Sequence, residues 1–232
     1  MKAIFDTYVD NAFGEHKQAL FKIRQFEINY KRFFPMDKVA SILDIGIGRG
    51  EMLTCMNNWG YSNYLGVDIS PSTITFCKSL GLNCMQVDDT TALLKENDNS
   101  FDLITLLDVL EHVKKENTID FLNALNGSLK EGGVLIIQVP NSQAPDGQLH
   151  RYNDITHEVG YVEHSLQQVL IAAGFDKVEF KGFEEFVLGG WKESIKKYLR
   201  YFYWQYIKLT RTITGNLNPG ILNPVFFAIV RK

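Results

Sequence analysis

Hydrophobic positions along the chain alternate between two rhythms. Short apolar runs at Ile42–Ile45, Tyr64–Val67, Asn83–Val87, Phe101–Leu107, Val134–Val139, Lys177–Gly182 and Pro224–Arg231 read as strands, most of them apolar enough to be covered on both faces. Between them the period lengthens to that of a helix. Glu51 opens one, with Met52, Leu53 and Met56 on one side and Gly60 as its stop. Ser70 as N-cap and Pro71 in the first turn open a second, which ends near Leu80 at Gly81. Thr118–Leu129 carries Ile119, Leu122, Leu125 and Leu129 at helical spacing and stops at Glu131-Gly132-Gly133. Ser165-Leu-Gln-Gln168 reads as a capping box that opens a helix to Ala173, closed by Gly174. Ahead of the first strand, residues 14–33 read as a helix ended by Pro35. The alternation predicts an α/β fold: a doubly wound, seven-stranded, mostly parallel sheet with helices on both faces.

Two segments stand outside that rhythm. Residues 1–40 form an N-terminal helical region, either packed on the sheet or placed as a lid over the ligands. Residues 183–223 are an insertion before the last strand. There Trp191, Ile195, Leu199, Phe202, Tyr206, Leu209 and Ile213 step by 4, 4, 3, 4, 3 and 4, which is a helix stripe. Lys192, Lys196, Lys197, Arg200, Lys208 and Arg211 surround it. The stripe suits packing on the domain, a homodimer interface, or an interfacial helix on an anionic membrane. A further polar stretch, Ser142–Glu163, is longer than an ordinary connection and so reads as functional.

Composition narrows the class. The 232 residues are 45% hydrophobic and 22% charged, ordinary for one globular domain spanning 1–232. A net charge of −3 argues against a nucleic-acid partner. Cys55, Cys77 and Cys84 are sparse and odd in number, which suggests reduced thiols in the cytoplasm. Lys2, Asp6 and Asp10 interrupt any apolar signal core, and no run approaches the length of a membrane span. The expected location is therefore cytoplasmic, with peripheral membrane contact through 183–223 as the alternative to a packed helix.

The densest chemistry lies in Ile42–Leu53, a strand, a turn with Gly46, Gly48 and Gly50, and a helix start. Glycines there let the backbone approach a ligand at the helix N-terminus. The residue that would complete a dinucleotide Gly-x-Gly-x-x-Gly is Glu51, and no Gly-Lys-Ser/Thr follows, so a P-loop is excluded. Asp68 ends the next strand, where a carboxylate can accept from both hydroxyls of a ribose.

Asp44-x-Gly-x-Gly-x-Gly followed by Glu51, together with Asp108-Val-Leu-Glu111-His112-Val113, resembles the class I (Rossmann-like) S-adenosylmethionine-dependent methyltransferases, in their small-molecule, sugar and quinone O-methyltransferase branch. Family-like features cover about residues 42–175 and the closing strand. The resemblance implies strand order 3-2-1-4-5-7-6 with the last strand antiparallel, and S-adenosyl-L-methionine as cofactor. It implies cofactor contacts at Asp44, Gly46, Ile47, Gly48, Gly50, Asp68, Ile69, Asp108 and Val109. It adds an acidic residue near the adenine at Asp89, with Asp88 on the position where the family commonly has glycine. The Asn/Asp-Pro-Pro-Tyr/Phe run of nucleobase and glutamine N-methyltransferases is absent after Leu107, where Asp108 stands.

His150–Phe175 resembles acceptor-side segments of enzymes from surface-polysaccharide, deoxysugar and quinone pathways. His157 matches their recurrent histidine, which makes it the first candidate to take the acceptor's proton and His112 the second. His112 equally suits a histidine satisfied by a backbone carbonyl. His150 and His164 read as exposed loop residues. Asp108, Glu111, His112 and His157 could also assemble a divalent metal site, but the spacing is not metal-specific and no metal is expected from it. The expected activity is O-methylation of a sugar, a glycan or lipid-linked precursor, or a quinone-like acceptor. The rivals are a nucleotide-binding dehydrogenase and a non-catalytic cofactor-binding scaffold.

Overall fold

The computed structural model describes residues 16–185, 191–216, 218 and 220–232. The start of the expected N-terminal lid, residues 1–15, and 186–190, 217 and 219 of the insertion lie outside the described residues. In chain order the elements are α1 (His16–Tyr30), β1 (Ile42–Ile45), α2 (Glu51–Asn58), β2 (Tyr64–Asp68), α3 (Pro71–Ser79), β3 (Cys84–Gln86), α4 (Thr90–Glu96) and β4 (Phe101–Leu107). They continue with α5 (Thr118–Ser128), β5 (Leu129–Pro140), α6 (Gly147–Tyr152), α7 (Glu163–Ala172), β6 (Lys177–Gly182), α8 (Trp191–Ile213) and β7 (Val225–Arg231).

The seven strands form one sheet in the order β3-β2-β1-β4-β5-β7-β6. β7 runs antiparallel to β5 and β6, and the pairs β1–β2, β1–β4, β2–β3 and β4–β5 are parallel. The expected order and the reversed last strand are both present. Side chains alternate between two cores. Leu135, Ile137, Phe226 and Ala228 pack on one face with Leu122, Leu125 and Leu166. Val134, Ile136, Phe227 and Ile229 pack on the other with Phe26, Tyr30 and Met52. Burial on both faces is why the strands read as continuous apolar runs. The chain goes out from β1 to β3 and returns to β4 beside β1, so a crevice opens at the carboxyl ends of β1 and β4.

Several local expectations move. Helix α1 ends at Tyr30 and tightens into a 3₁₀ turn at Lys31–Phe33 ahead of Pro35. α5 ends at Ser128, so Gly132 and Gly133 do not stop it but sit in the bend that leads into the paired part of β5. Ser165 is not the N-cap of α7. The helix starts at Glu163, and the backbone N–H of Val162 donates to the Ser165 hydroxyl (3.0 Å), so the serine closes the first turn from inside. The polar stretch after β5 contains the short helix α6. Cys55, Cys77 and Cys84 are free and buried, and burial pushes the Cys55 and Cys77 thiols up to about 12, which keeps them protonated and inert.

Candidate active site

The turn after β1 owes its shape to glycine. Gly46 lies at φ +74°, and a Cβ there would sit 2.3 Å from Cγ2 of Val109. The backbone of the first motif therefore touches the segment that follows β4, and no side chain fits between them. Gly50 has a different role. It caps α2 at φ +75°, and a Cβ would strike Leu82 and Cys77. Its constraint is packing beneath the turn, and it does not line the cavity described next, although the motif placed it among the cofactor contacts.

A cavity of about 350 Å³ opens at the switch point. Asp44, Gly46, Ile47 and Gly48 form its floor, with Asp68 and Ile69 on one side and Asp108 and Val109 on the other. α1 closes it with Lys22 and Phe26, and His112 and Val113 form the far wall. Of the expected cofactor residues, Gly50, Asp88 and Asp89 stay outside. Asp89 accepts from the Ala92 N–H (3.0 Å) as the N-cap of α4, and Asp88 is exposed at the strand end.

The cavity is strongly acidic. Asp44 is buried and accepts from the Thr105 hydroxyl (2.6 Å). Burial raises its carboxyl from 3.8 to about 7, and the charges of Glu51 and Asp68 push the same way. Asp68 accepts from the Ser70 N–H (2.9 Å); burial nevertheless raises it above its ordinary value. Glu51, buried in the first turn of α2, has Lys22 of α1 at 3.9 Å. Asp108 holds a left-handed backbone at φ +55°, an uncommon conformation for a residue with a side chain and typical of functional turns. Its carboxylate accepts from the Gln138 amide (2.8 Å), and the Tyr30 hydroxyl donates to the same glutamine. One amide thus ties α1 to the end of β4.

Beyond the His112 wall lies a second polar group. The rings of His112 and His157 are 4.7 Å apart, and Nε2 of His157 is 4.0 Å from Glu111. Glu111 is 2% exposed, and burial, reinforced by Asp108, raises its carboxyl well above the ordinary range. His112 is lowered, chiefly by burial. Its Nδ1 meets the Thr156 hydroxyl (2.9 Å), and the Thr156 backbone also hydrogen-bonds the ring. Three of the four residues considered for a metal, Glu111, His112 and His157, offer ligand atoms within 4.8 Å of one another, and Asp108 is not part of that group. Sequence reasoning missed Lys22, Phe26, Thr73 and the Thr156–Asp154 pair. Only Thr105 left a signal, as a hydroxyl inside an otherwise apolar strand.

A family model described as a methyltransferase domain matches residues 17–179, and the chain belongs to that family, the S-adenosylmethionine-dependent methyltransferases. A ribosomal protein L11 methyltransferase of Lactobacillus johnsonii is 33% identical over 108 residues, 44% of this chain and 34% of that protein. A ubiquinone biosynthesis O-methyltransferase of Xanthomonas oryzae pv. oryzae is 31% identical over 107 residues, 44% of each. The matched stretches span less than half the length of these relatives. Among solved structures, a SAM-dependent methyltransferase from Archaeoglobus fulgidus superposes with a TM-score of 0.69 at 24% identity, covering 93% of this chain and 98% of that one. Phosphoethanolamine N-methyltransferase 2 of Haemonchus contortus, in complex with S-adenosyl-L-methionine, gives 0.59 at 18% identity over 100% and 57%. At those identities the likeness shows the fold.

Proposed function

We propose that the chain transfers the methyl group of S-adenosylmethionine to an oxygen of a small-molecule acceptor, a sugar, a lipid-linked glycan precursor or a quinone-like ring. The observation that carries the reading is the charge of the cavity. Asp44, Glu51, Asp68 and Asp108 line it against one lysine, Lys22. Such a wall repels the pyrophosphate of a dinucleotide and attracts the sulfonium and ammonium of S-adenosylmethionine. The residues fit that cofactor: Gly46 and Gly48 admit it close to the backbone, Asp68 suits a ribose, and Phe26, Ile47, Met52, Ile69 and Val109 supply apolar surface. The cofactor supplies an intrinsically electrophilic methyl group. The protein's task is to align the acceptor and exclude water, which α1 does by closing over the cavity.

Oxygen is favoured over nitrogen because the end of β4 carries Asp108-Val-Leu-Glu in place of an Asn-Pro-Pro-Tyr run, and because Glu111, His112 and His157 gather where an acceptor hydroxyl would lose its proton. The O-methyltransferase relative points the same way.

The acceptor's membrane link rests on α8. This helix presents Trp191, Phe202 and Ile213 at 72%, 66% and 74% exposure, with Leu199, Tyr206 and Leu209 exposed between them. The side toward the domain is mixed: Trp204 and Ile207 are half-buried, Arg211 donates to the Gln143 carbonyl (2.7 Å) and Arg200 lies 3.5 Å from Glu185. The stripe is therefore not packed on the domain. α8 carries six basic residues against one acid, a net +5 in a chain of net −3, so two copies repel while anionic lipid attracts.

Isothermal titration of S-adenosylhomocysteine tests the cofactor assignment. The expected affinity is micromolar or tighter, about −8 kcal/mol. Asp68→Ala should weaken it by roughly 1.5–3 kcal/mol. Unchanged affinity in that variant would sink the site.

A further inference from the structure

We infer that Glu111, His112 and His157 hold a divalent first-row transition-metal ion beside the methyl-transfer cavity. The argument is one of donors and acceptors. Both carboxylate oxygens of Glu111 are buried and have no hydrogen-bond partner. A buried carboxylate in that state is costly unless a cation or proton meets it.

The Nδ1 atoms of the two neighbouring rings point away from the Glu111 carboxylate. The single hydroxyl hydrogen of Thr156 goes to the Asp154 carboxylate (2.6 Å), so Thr156 Oγ1 accepts from Nδ1–H of His112 (2.9 Å). Nδ1 of His157 faces the Arg151 carbonyl (3.3 Å), which accepts only, so that nitrogen too carries its hydrogen. Glu111, His112 and His157 bring ligand atoms within 4.8 Å of one another, with Nδ1 of each ring held from behind by Thr156 and by the Arg151 carbonyl. That anchoring is how metal-binding histidines are oriented. Two nitrogens and one carboxylate suit manganese, iron, cobalt or zinc better than the all-oxygen preference of calcium or magnesium.

Three protein ligands leave coordination positions open, and His112 also lines the cavity, so an acceptor hydroxyl can enter from that side. The role therefore rests on the acceptor reading above. An ion held there would make a bound hydroxyl more acidic, so that its proton could leave to solvent. The O–CH₃ bond forms as the S–CH₃ bond breaks, the bonding pair stays on sulfur, and the products are a methyl ether and S-adenosylhomocysteine. His157 then serves as a ligand and does not take the proton itself.

The test is calorimetry of the full chain, stripped with chelator, against MnCl₂ and ZnCl₂ alone, with S-adenosylhomocysteine titrated separately. One ion per chain at micromolar affinity or tighter is expected. Glu111→Gln and His157→Ala should each weaken it more than about tenfold. S-adenosylhomocysteine should bind these variants within threefold of wild type, which also shows that they fold. Metal binding no weaker in Glu111→Gln, or none in a wild-type chain that binds S-adenosylhomocysteine, overturns the metal site and leaves the methyltransferase reading standing. A wild-type chain that binds the metal but not S-adenosylhomocysteine overturns that reading instead.

Discussion

Asp44 is the residue where burial and function pull against each other. Thr105 gives it one hydrogen bond, and the nearest charges include Glu51 and Asp68, so the native state favours its protonated form up to about pH 7. The unfolded chain gives up that proton near 3.8. Between those values the native state binds the extra proton, so this contribution is complete below about pH 4 and is lost as pH rises through about 7. The window is worth up to about 4 kcal/mol. Thermal denaturation without ligand should therefore show stability falling across it, and Asp44→Asn should flatten the slope and be the more stable protein at pH 8. A wild-type Tm that rises steadily from pH 5 to 8, with no difference in the variant, would contradict the burial argument. Asp68 was legible because it ends a strand of a repeating unit, and Asp44 and Asp108 through the motifs that resemble the family's; topology brings these strand ends together. Lys22 and Phe26 were not, since they reach the cavity through the packing of α1. Nor was the Asp154–Thr156–His112 chain, because nothing local says that a loop 44 residues downstream folds back onto the turn after β4.

At the scale of elements, α1 and α8 began with similar patterns and ended in different places. Both carry apolar residues at helical spacing among basic ones. α1 buries Phe26 and Tyr30 against Phe227 and the sheet, and Asn29 fixes it by exchanging hydrogen bonds with the backbone of Glu184. α8 turns its stripe outward. Periodicity reports that a helix has an apolar face and is silent on what covers it, so the sequence left α1 with two readings and α8 with three. At about 1.5 Å per residue α8 is roughly 35 Å long. No helix among the described residues is long and apolar enough to cross a membrane, which leaves α8 the option of lying on one. Flotation with liposomes containing anionic phospholipid at low salt should carry the protein upward. Neutral liposomes should carry far less, and Phe202→Glu should return most of it to the bottom fraction. Salt near 1 M should release a good part, since the attraction of basic residues is screened. Equal flotation on neutral and anionic vesicles would remove the charge argument. A protein that stays in solution but sediments as a dimer would assign the stripe to a second copy.

For the molecule as a whole, strand order and charge act together. A sheet that reverses between β1 and β4 builds a crevice there whichever nucleotide it serves, so the fold alone does not choose between S-adenosylmethionine and a dinucleotide. The choice comes from what lines the crevice, and the ends of β1 and β2, the first turn of α2 and the segment after β4 put four carboxylates there. These were visible one by one in the sequence, but their confluence was not, because it depends on the reversal of strand order and on the helix that closes the top. Ligand-induced stabilisation reads the result in the intact chain. A ligand at a hundred times its dissociation constant adds about 2.7 kcal/mol to unfolding. For a domain of this size each kcal/mol moves the midpoint by roughly 2–4 °C. S-adenosylhomocysteine should therefore raise Tm by roughly 5–10 °C at that excess, although it lacks the sulfonium charge, because its ammonium and ribose still meet the acidic wall. S-adenosylmethionine should stabilise at least as much. NAD at the same concentration should leave Tm within about 1 °C, since its pyrophosphate would face Glu51, Asp68 and Asp108 with only Lys22 to oppose them. A shift with NAD equal to that with S-adenosylhomocysteine would mean that the carboxylates do not select the ligand.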